Sequence, residues 1–96
     1  MTPSASTVRR LVVTGRVQGV GFRYAFADEA RVRKLTGWVR NCADGSVEAI
    51  VAGDAADVDA IVIWARQGPP AAGVSSVHVE TASGAFSSFE IASSTR

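Results

Sequence analysis

Residues 15–23 read Gly-Arg-Val-Gln-Gly-Val-Gly-Phe-Arg, and no other stretch restricts the fold of this chain so tightly. An apolar run, Leu11-Val12-Val13, precedes it, and Phe22, Phe26 and Ala30 follow at helical spacing. A strand must therefore bend through glycines directly into a helix. The first four N–H groups of a helix have no intrahelical partner, and Ser, Thr, Asp or Asn normally supplies the missing acceptor. Gly19, Val20 and Gly21 supply none. Arg23 adds a cation near the positive end of the helix, unfavourable by ~0.3–1 kcal/mol unless something negative sits beside it. A bound phosphate relieves both defects. A tight turn, with glycines serving only positive φ and the arginine pointing into water, explains the same residues. The local residues leave both readings open.

Known phosphate motifs narrow the first reading. The loop lacks a Gly-Lys-Ser/Thr ending, which excludes a Walker-type nucleotide site, and Tyr24 stands where a dinucleotide fingerprint needs its last glycine. What remains is a small phosphate held by amides and one guanidinium.

The same nine residues resemble the signature of the acylphosphatase family, and Gly37-Trp38-Val39-Arg40-Asn41 resembles its second signature. Further matches follow in order at Asp44 to Glu48, Gly68 to Ala72, Gly84 to Phe86 and Phe89 to Ile91, so the likeness spans nearly the whole chain. One departure is Arg33-Lys34-Leu35, where the family has Leu-Gly-Leu. It bears on the end of the first helix, where Lys34 must accept a position usually given to glycine. The resemblance implies metal-independent hydrolysis of acyl phosphates to carboxylate and inorganic phosphate, without a cofactor, with Arg23 and Asn41 as catalytic residues.

With 96 residues the chain holds one core. The domain is expected at 8–92, between tails at 1–7 and 93–96 rich in Ser, Thr and Ala. Hydrophobic residues make up 47% and charged residues 20%, the composition of a globular domain and not of a disordered chain. No apolar run is long enough to span a bilayer and no leader pattern opens the chain, so a cytoplasmic protein without membrane contact is expected. A net charge of +1 offers no electrostatic case for nucleic acid. Cys42 is the single cysteine, which excludes an internal disulfide and a multi-cysteine metal site; it reads as a small turn residue.

The elements expected are a strand at about 8–16, a helix at about 22–34 and a strand at 37–41. Asp44-Gly45 then turns the chain into a strand at about 46–52. Asp54 caps a helix that runs to about 67 with Val58, Ile61, Val62 and Ala65 as its apolar face, ended by Gly68 and Pro69-Pro70. Strands at about 74–81 and 89–92 complete the chain. Trp64 reads as core or core edge. This order is an α+β, ferredoxin-like βαββαβ sandwich: an antiparallel sheet, two helices on one face and a short extra C-terminal strand. In that topology the first and second strands are parallel, with the third between them. The glycine loop and Asn41 then emerge on one edge, ~10 Å apart at two interstrand spacings of about 4.8 Å.

Across such a cradle the amides of Gln18, Gly19, Val20 and Gly21 and the fork of Arg23 can bind phosphoryl oxygens, the fork in a bidentate manner that lysine cannot reproduce. Asn41 can orient a water, since its side chain both accepts and donates. Taken by itself, Asn41 reads more simply as a turn residue that bonds its own backbone. No general acid stands beside them, because His78 lies in the fourth strand. An acyl phosphate needs none, for its leaving group is a carboxylate, stable near neutral pH. A non-catalytic or specialised phosphate- or carbamoyl-phosphate-binding module, of the kind fused to larger carbamoyl-transferring proteins, is the competing reading. The chain starts at Met1 and ends just past the last expected strand, and both Arg23 and Asn41 are present, which counts against that module; a monomer is expected. An RNA-binding domain of the same topology would want aromatic residues on the central strands, and residues 46–52 contain none.

Overall fold

A computed structural model describes residues 6–94. Its elements are β1 (Thr7–Arg16), α1 (Phe22–Val32), β2 (Thr36–Asn41), β3 (Val47–Gly53), α2 (Ala55–Gln67), β4 (Gly73–Thr81) and β5 (Phe89–Ile91). The sheet order is β4-β1-β3-β2-β5. β1 runs antiparallel to β3 and β4, and β2 antiparallel to β3. β1 and β2 are therefore parallel, on either side of β3. The short β5, whose pairing the sequence leaves open, adds in parallel to β2. The five-strand sheet is thus mixed, with its four longer strands antiparallel. β1 starts at Thr7, opposite Gly53, so the first strand takes a residue assigned to the tail. Residues 1–5 and 95–96 of the two expected tails lie outside the described residues.

Period-two alternation decides which side chains meet the helices. Leu11, Val13, Val39, Val47, Ala49 and Val51 face Phe22, Phe26 and Ala30 of α1 and Val58, Ile61 and Ala65 of α2. Each large apolar side chain buried in this layer contributes about 1.5–3 kcal/mol. Trp64 stands at its edge, 5.7 Å from Phe22 and 5.9 Å from Phe26 between ring centroids. Val8, Ile50 and Ala52 form a smaller cluster on the opposite face, covered by Trp38, Ala82 and Phe86. β4 breaks strict alternation, and a bulge accounts for it. Thr14 pairs with Ser76 but Gly15 with Val74, so the extra residue Ser75 returns Val74 to the side of Val77 and Val79.

The first helix ends two residues before the expected Lys34. Lys34 has φ 58°, and its N–H donates to Arg31 O at 3.0 Å while Leu35 N–H donates to Ala30 O at 2.9 Å. These two bonds are a Schellman ending, which requires a left-handed residue after the cap. A side chain with Cβ adopts that conformation at a cost of about 1–2 kcal/mol, partly offset in glycine by its greater unfolded-state entropy. Lys34→Gly is therefore expected to stabilise by about 1 kcal/mol and raise Tm by about 4–8 °C in thermal unfolding. A fall in Tm would show that Lys34 makes a contact that outweighs its backbone strain.

Candidate active site

Val17, 1% exposed, anchors the chain under the sheet edge as it leaves β1, and the half-buried Val20 packs on the same core. Between and after them Gly19 and Gly21 take φ 73° and 80°, with Val20 at negative φ between. Alternating φ of this kind turns successive N–H groups into one concavity, a backbone nest suited to an anion. A Cβ on Gly19 or Gly21 would meet nothing within 4 Å, so these glycines serve backbone direction and open access, not packing. Gly21 is also the N-cap of α1, left-handed and without a side-chain cap, and no acidic residue stands in the first turn. The amides that open α1 therefore face outward without a protein acceptor of the usual kind. Arg23, half-buried, holds its guanidinium 5.7 Å from the Tyr24 ring and has no carboxylate partner among the described residues.

Asn41 ends β2, its backbone in register with Val47. Its Oδ1 is buried and accepts no hydrogen bond. The simple turn-residue role belongs instead to Asp44, whose Oδ1 accepts from Ser46 N–H at 2.9 Å and from Ser46 Oγ at 2.6 Å. Those bonds, the hydroxyl's first, hold the Asp44 carboxyl below the usual range. Cys42 N–H donates to Ser46 O, and Gly45 N–H donates to Cys42 O, so the β2–β3 turn is closed by its own bonds. Gln18 then crosses from the glycine loop, its Nε2 donating to Cys42 O at 2.8 Å and Ser46 O at 2.9 Å. The loop and the Asn41 turn are thereby in direct contact, as the strand order allows. Sequence reasoning assigned Gln18 through its backbone amide alone and missed this side-chain bridge; a polar residue at the entry of a glycine loop is the signal that was present.

Other polar residues go elsewhere. Arg40, next to Asn41, lies on the opposite face, stacked 4.7 Å from Trp38 and bonded to Glu48 at 2.7 and 2.9 Å. Arg10 grips the other Glu48 oxygen at 2.6 Å. Burial works to raise the Glu48 carboxyl, and the two arginines outweigh it, holding the acid below its ordinary value. Arg40 is thus committed to the sheet and not to the cradle. His78 is exposed on β4, 3.4 Å from Glu80, at the far edge of the sheet from β2. The half-buried Cys42 has its Sγ 4.0 Å from Glu48 Oε1. Among the described residues no three His, Cys, Asp or Glu side chains gather as a metal-binding group. A groove of about 570 Å³ is lined by Trp38, Arg40 and Phe86 and belongs to the sheet face opposite the helices.

Two helices on one face of a sheet ordered β4-β1-β3-β2-β5 define a ferredoxin-like α+β protein, and its glycine loop opens a helix that has no side-chain cap. The family model for acylphosphatase matches residues 9–91. An acylphosphatase of Anaeromyxobacter dehalogenans is 54% identical over 84 residues, covering 85% of this chain and 90% of that one. One of Albidiferax ferrireducens is 46% identical over 91 residues, covering 95% and 99%. The structure of an acylphosphatase from Coxiella burnetii superposes with a TM-score of 0.91 at 35% identity, covering 96% of this chain and all of that one. The chain belongs to the acylphosphatase family. It is a hydrolase that cleaves the carboxyl–phosphate bond of small acyl phosphates, releasing carboxylate and inorganic phosphate.

Proposed function

We propose that the amides of Gln18, Gly19, Val20 and Gly21, with the Arg23 fork, hold the phosphoryl oxygens of an acyl phosphate while Asn41 aims the attacking water. The observation that carries this reading is the bridge from Gln18 of the glycine loop to Cys42 and Ser46, which ties the turn directly after Asn41 to the loop that opens the uncapped α1. A water hydrogen-bonded to the Asn41 side-chain amide presents a lone pair to phosphorus. As the new O–P bond forms, the P–O bond to the acyl group breaks and its electron pair leaves as carboxylate. The water's proton passes to a phosphoryl oxygen, so substrate dianion and water become carboxylate and dihydrogen phosphate. No protein acid or base is needed, because a carboxylate with an ordinary pKa of about 4 leaves unprotonated. Catalysis is then positioning plus stabilisation of charge on the phosphoryl oxygens.

We place the protein in the cytoplasm, where the lone thiol of Cys42 stays reduced, as a single working domain over residues 8–92. A monomer suffices, since one chain supplies both sides of the cradle. Acyl phosphate and inorganic phosphate are its partners. A net charge of +1 and a central strand without aromatic residues argue against nucleic acid, and no described helix is long and apolar enough to cross a membrane.

Benzoyl phosphate, an aryl phosphate monoester and a nucleoside triphosphate, offered to the purified protein after exhaustive chelation, test the reading. Only benzoyl phosphate should turn over rapidly, and at an undiminished rate. An activity abolished by the chelator and restored by magnesium or zinc would overturn the mechanism.

A further inference from the structure

Gln18 spends both hydrogens of its side-chain amide on one turn, and that turn is closed without it. Cys42 O already accepts Gly45 N–H at 3.1 Å and Ser46 O already accepts Cys42 N–H at 2.8 Å. The Gln18 Nε2 hydrogens therefore occupy the second lone pair of each carbonyl, 24 and 28 residues away in sequence. Asp44 secures the same turn through Ser46. Removing the Gln18 amide leaves the turn shut and cuts its link to the glycine loop.

The link matters because the two sides of the cradle are otherwise held at some distance from their working atoms. The loop is anchored at Val17 and Phe22, both 1% exposed, and between them two glycines leave the backbone unusually free. Asn41, across the edge, precedes Cys42 by one residue. We infer that Gln18 is a positioning residue: its side-chain amide clips the phosphate loop to the Asn41 turn and so sets the line between the attacking water and phosphorus, without itself holding the water. The inference rests on the reading of Asn41 as the group that aims the water. Attack on phosphorus requires the incoming oxygen, phosphorus and leaving oxygen to lie roughly in line, and a misplacement near 1 Å costs about a hundredfold in rate.

Gln18→Met keeps the side-chain length and loses both donors; Gln18→Glu sets a carboxylate against two carbonyl oxygens. Both should lower kcat for benzoyl phosphate about ten- to a hundredfold while the Kd of inorganic phosphate, read from its effect on Tm, moves by less than about threefold. The decisive measurement is a double-mutant cycle with Asn41→Ala. If Gln18 works through Asn41, Gln18→Met should cost no further kcat once Asn41 is gone. Costs that multiply independently would overturn the inference, as would a loss of phosphate binding that matches the loss of kcat. Failure of both Gln18 variants to fold would make the residue structural and overturn it equally. An inactive wild type would instead sink the reading of function and this inference with it, whereas an active wild type with an undiminished Gln18→Met variant overturns the clip alone.

Discussion

Arg23→Lys is expected to lower kcat for benzoyl phosphate about a hundred- to a thousandfold, the usual cost of removing one preorganised donor from a developing anion. Charge is conserved in this substitution, so the loss isolates geometry. A guanidinium presents a planar fork to two phosphoryl oxygens, whereas an ammonium is a compact, strongly hydrated point charge. The nest at Gly19 and Gly21 can satisfy the remaining oxygen but cannot replace the fork. Arg23 has no carboxylate to hold it among the described residues, and its neighbour is the exposed ring of Tyr24. Its replacement should therefore leave the fold intact, with Tm in the absence of ligand close to wild type. Steady-state kinetics beside thermal unfolding decides the matter. Turnover within a few fold of wild type would make Arg23 an ordinary surface cation and remove the anchor of the proposed mechanism.

Asn41→Ala should divide water placement from phosphate binding. If Asn41 acts only on the nucleophile, its loss removes an interaction made chiefly in the transition state, and kcat falls by about a hundredfold or more. The nest and Arg23 are untouched, so inorganic phosphate should still inhibit competitively. It should also still raise Tm, by RT ln(1 + [L]/Kd), about 2.7 kcal/mol at a hundredfold excess over Kd. Phosphate should stabilise Arg23→Ala far less. The free variant should be at least as stable as wild type, because a buried acceptor without a partner, Asn41 Oδ1, costs about 1–3 kcal/mol. The β2–β3 pairing at Asn41 and Val47 uses the backbone alone and survives the change. An Asn41→Ala protein that keeps its kcat, or that loses phosphate stabilisation as fully as Arg23→Ala, would refute this division of labour.

The residues of the glycine loop already specify its backbone shape, because local chemistry decides it: positive φ at Gly19 and Gly21 and a helix that starts without a capping side chain are properties of neighbours in the chain. The buried stripe Phe22, Phe26, Ala30 follows from helical periodicity in the same way, and so does the sandwich, since the order of strands and helices admits few topologies. The early end of α1 was half visible, for Lys34 marked the place but not the Schellman bonds that take Leu35 back to Ala30. Tertiary structure alone decided the rest. Asn41 and Asp44 are both small polar turn residues, and only the folded turn gives the backbone-bonding role to Asp44 and leaves Asn41 Oδ1 free. Arg40 and Asn41 are adjacent, yet strand alternation and the pull of Glu48 send Arg40 to the opposite face. The bridge from Gln18 to Cys42 and Ser46 spans 24 and 28 residues, and the parallel pairing of β5 with β2 joins Gly37 to Phe89. Such contacts exist only once the sheet has assembled, because no periodicity or local propensity encodes which distant carbonyls a side chain will meet.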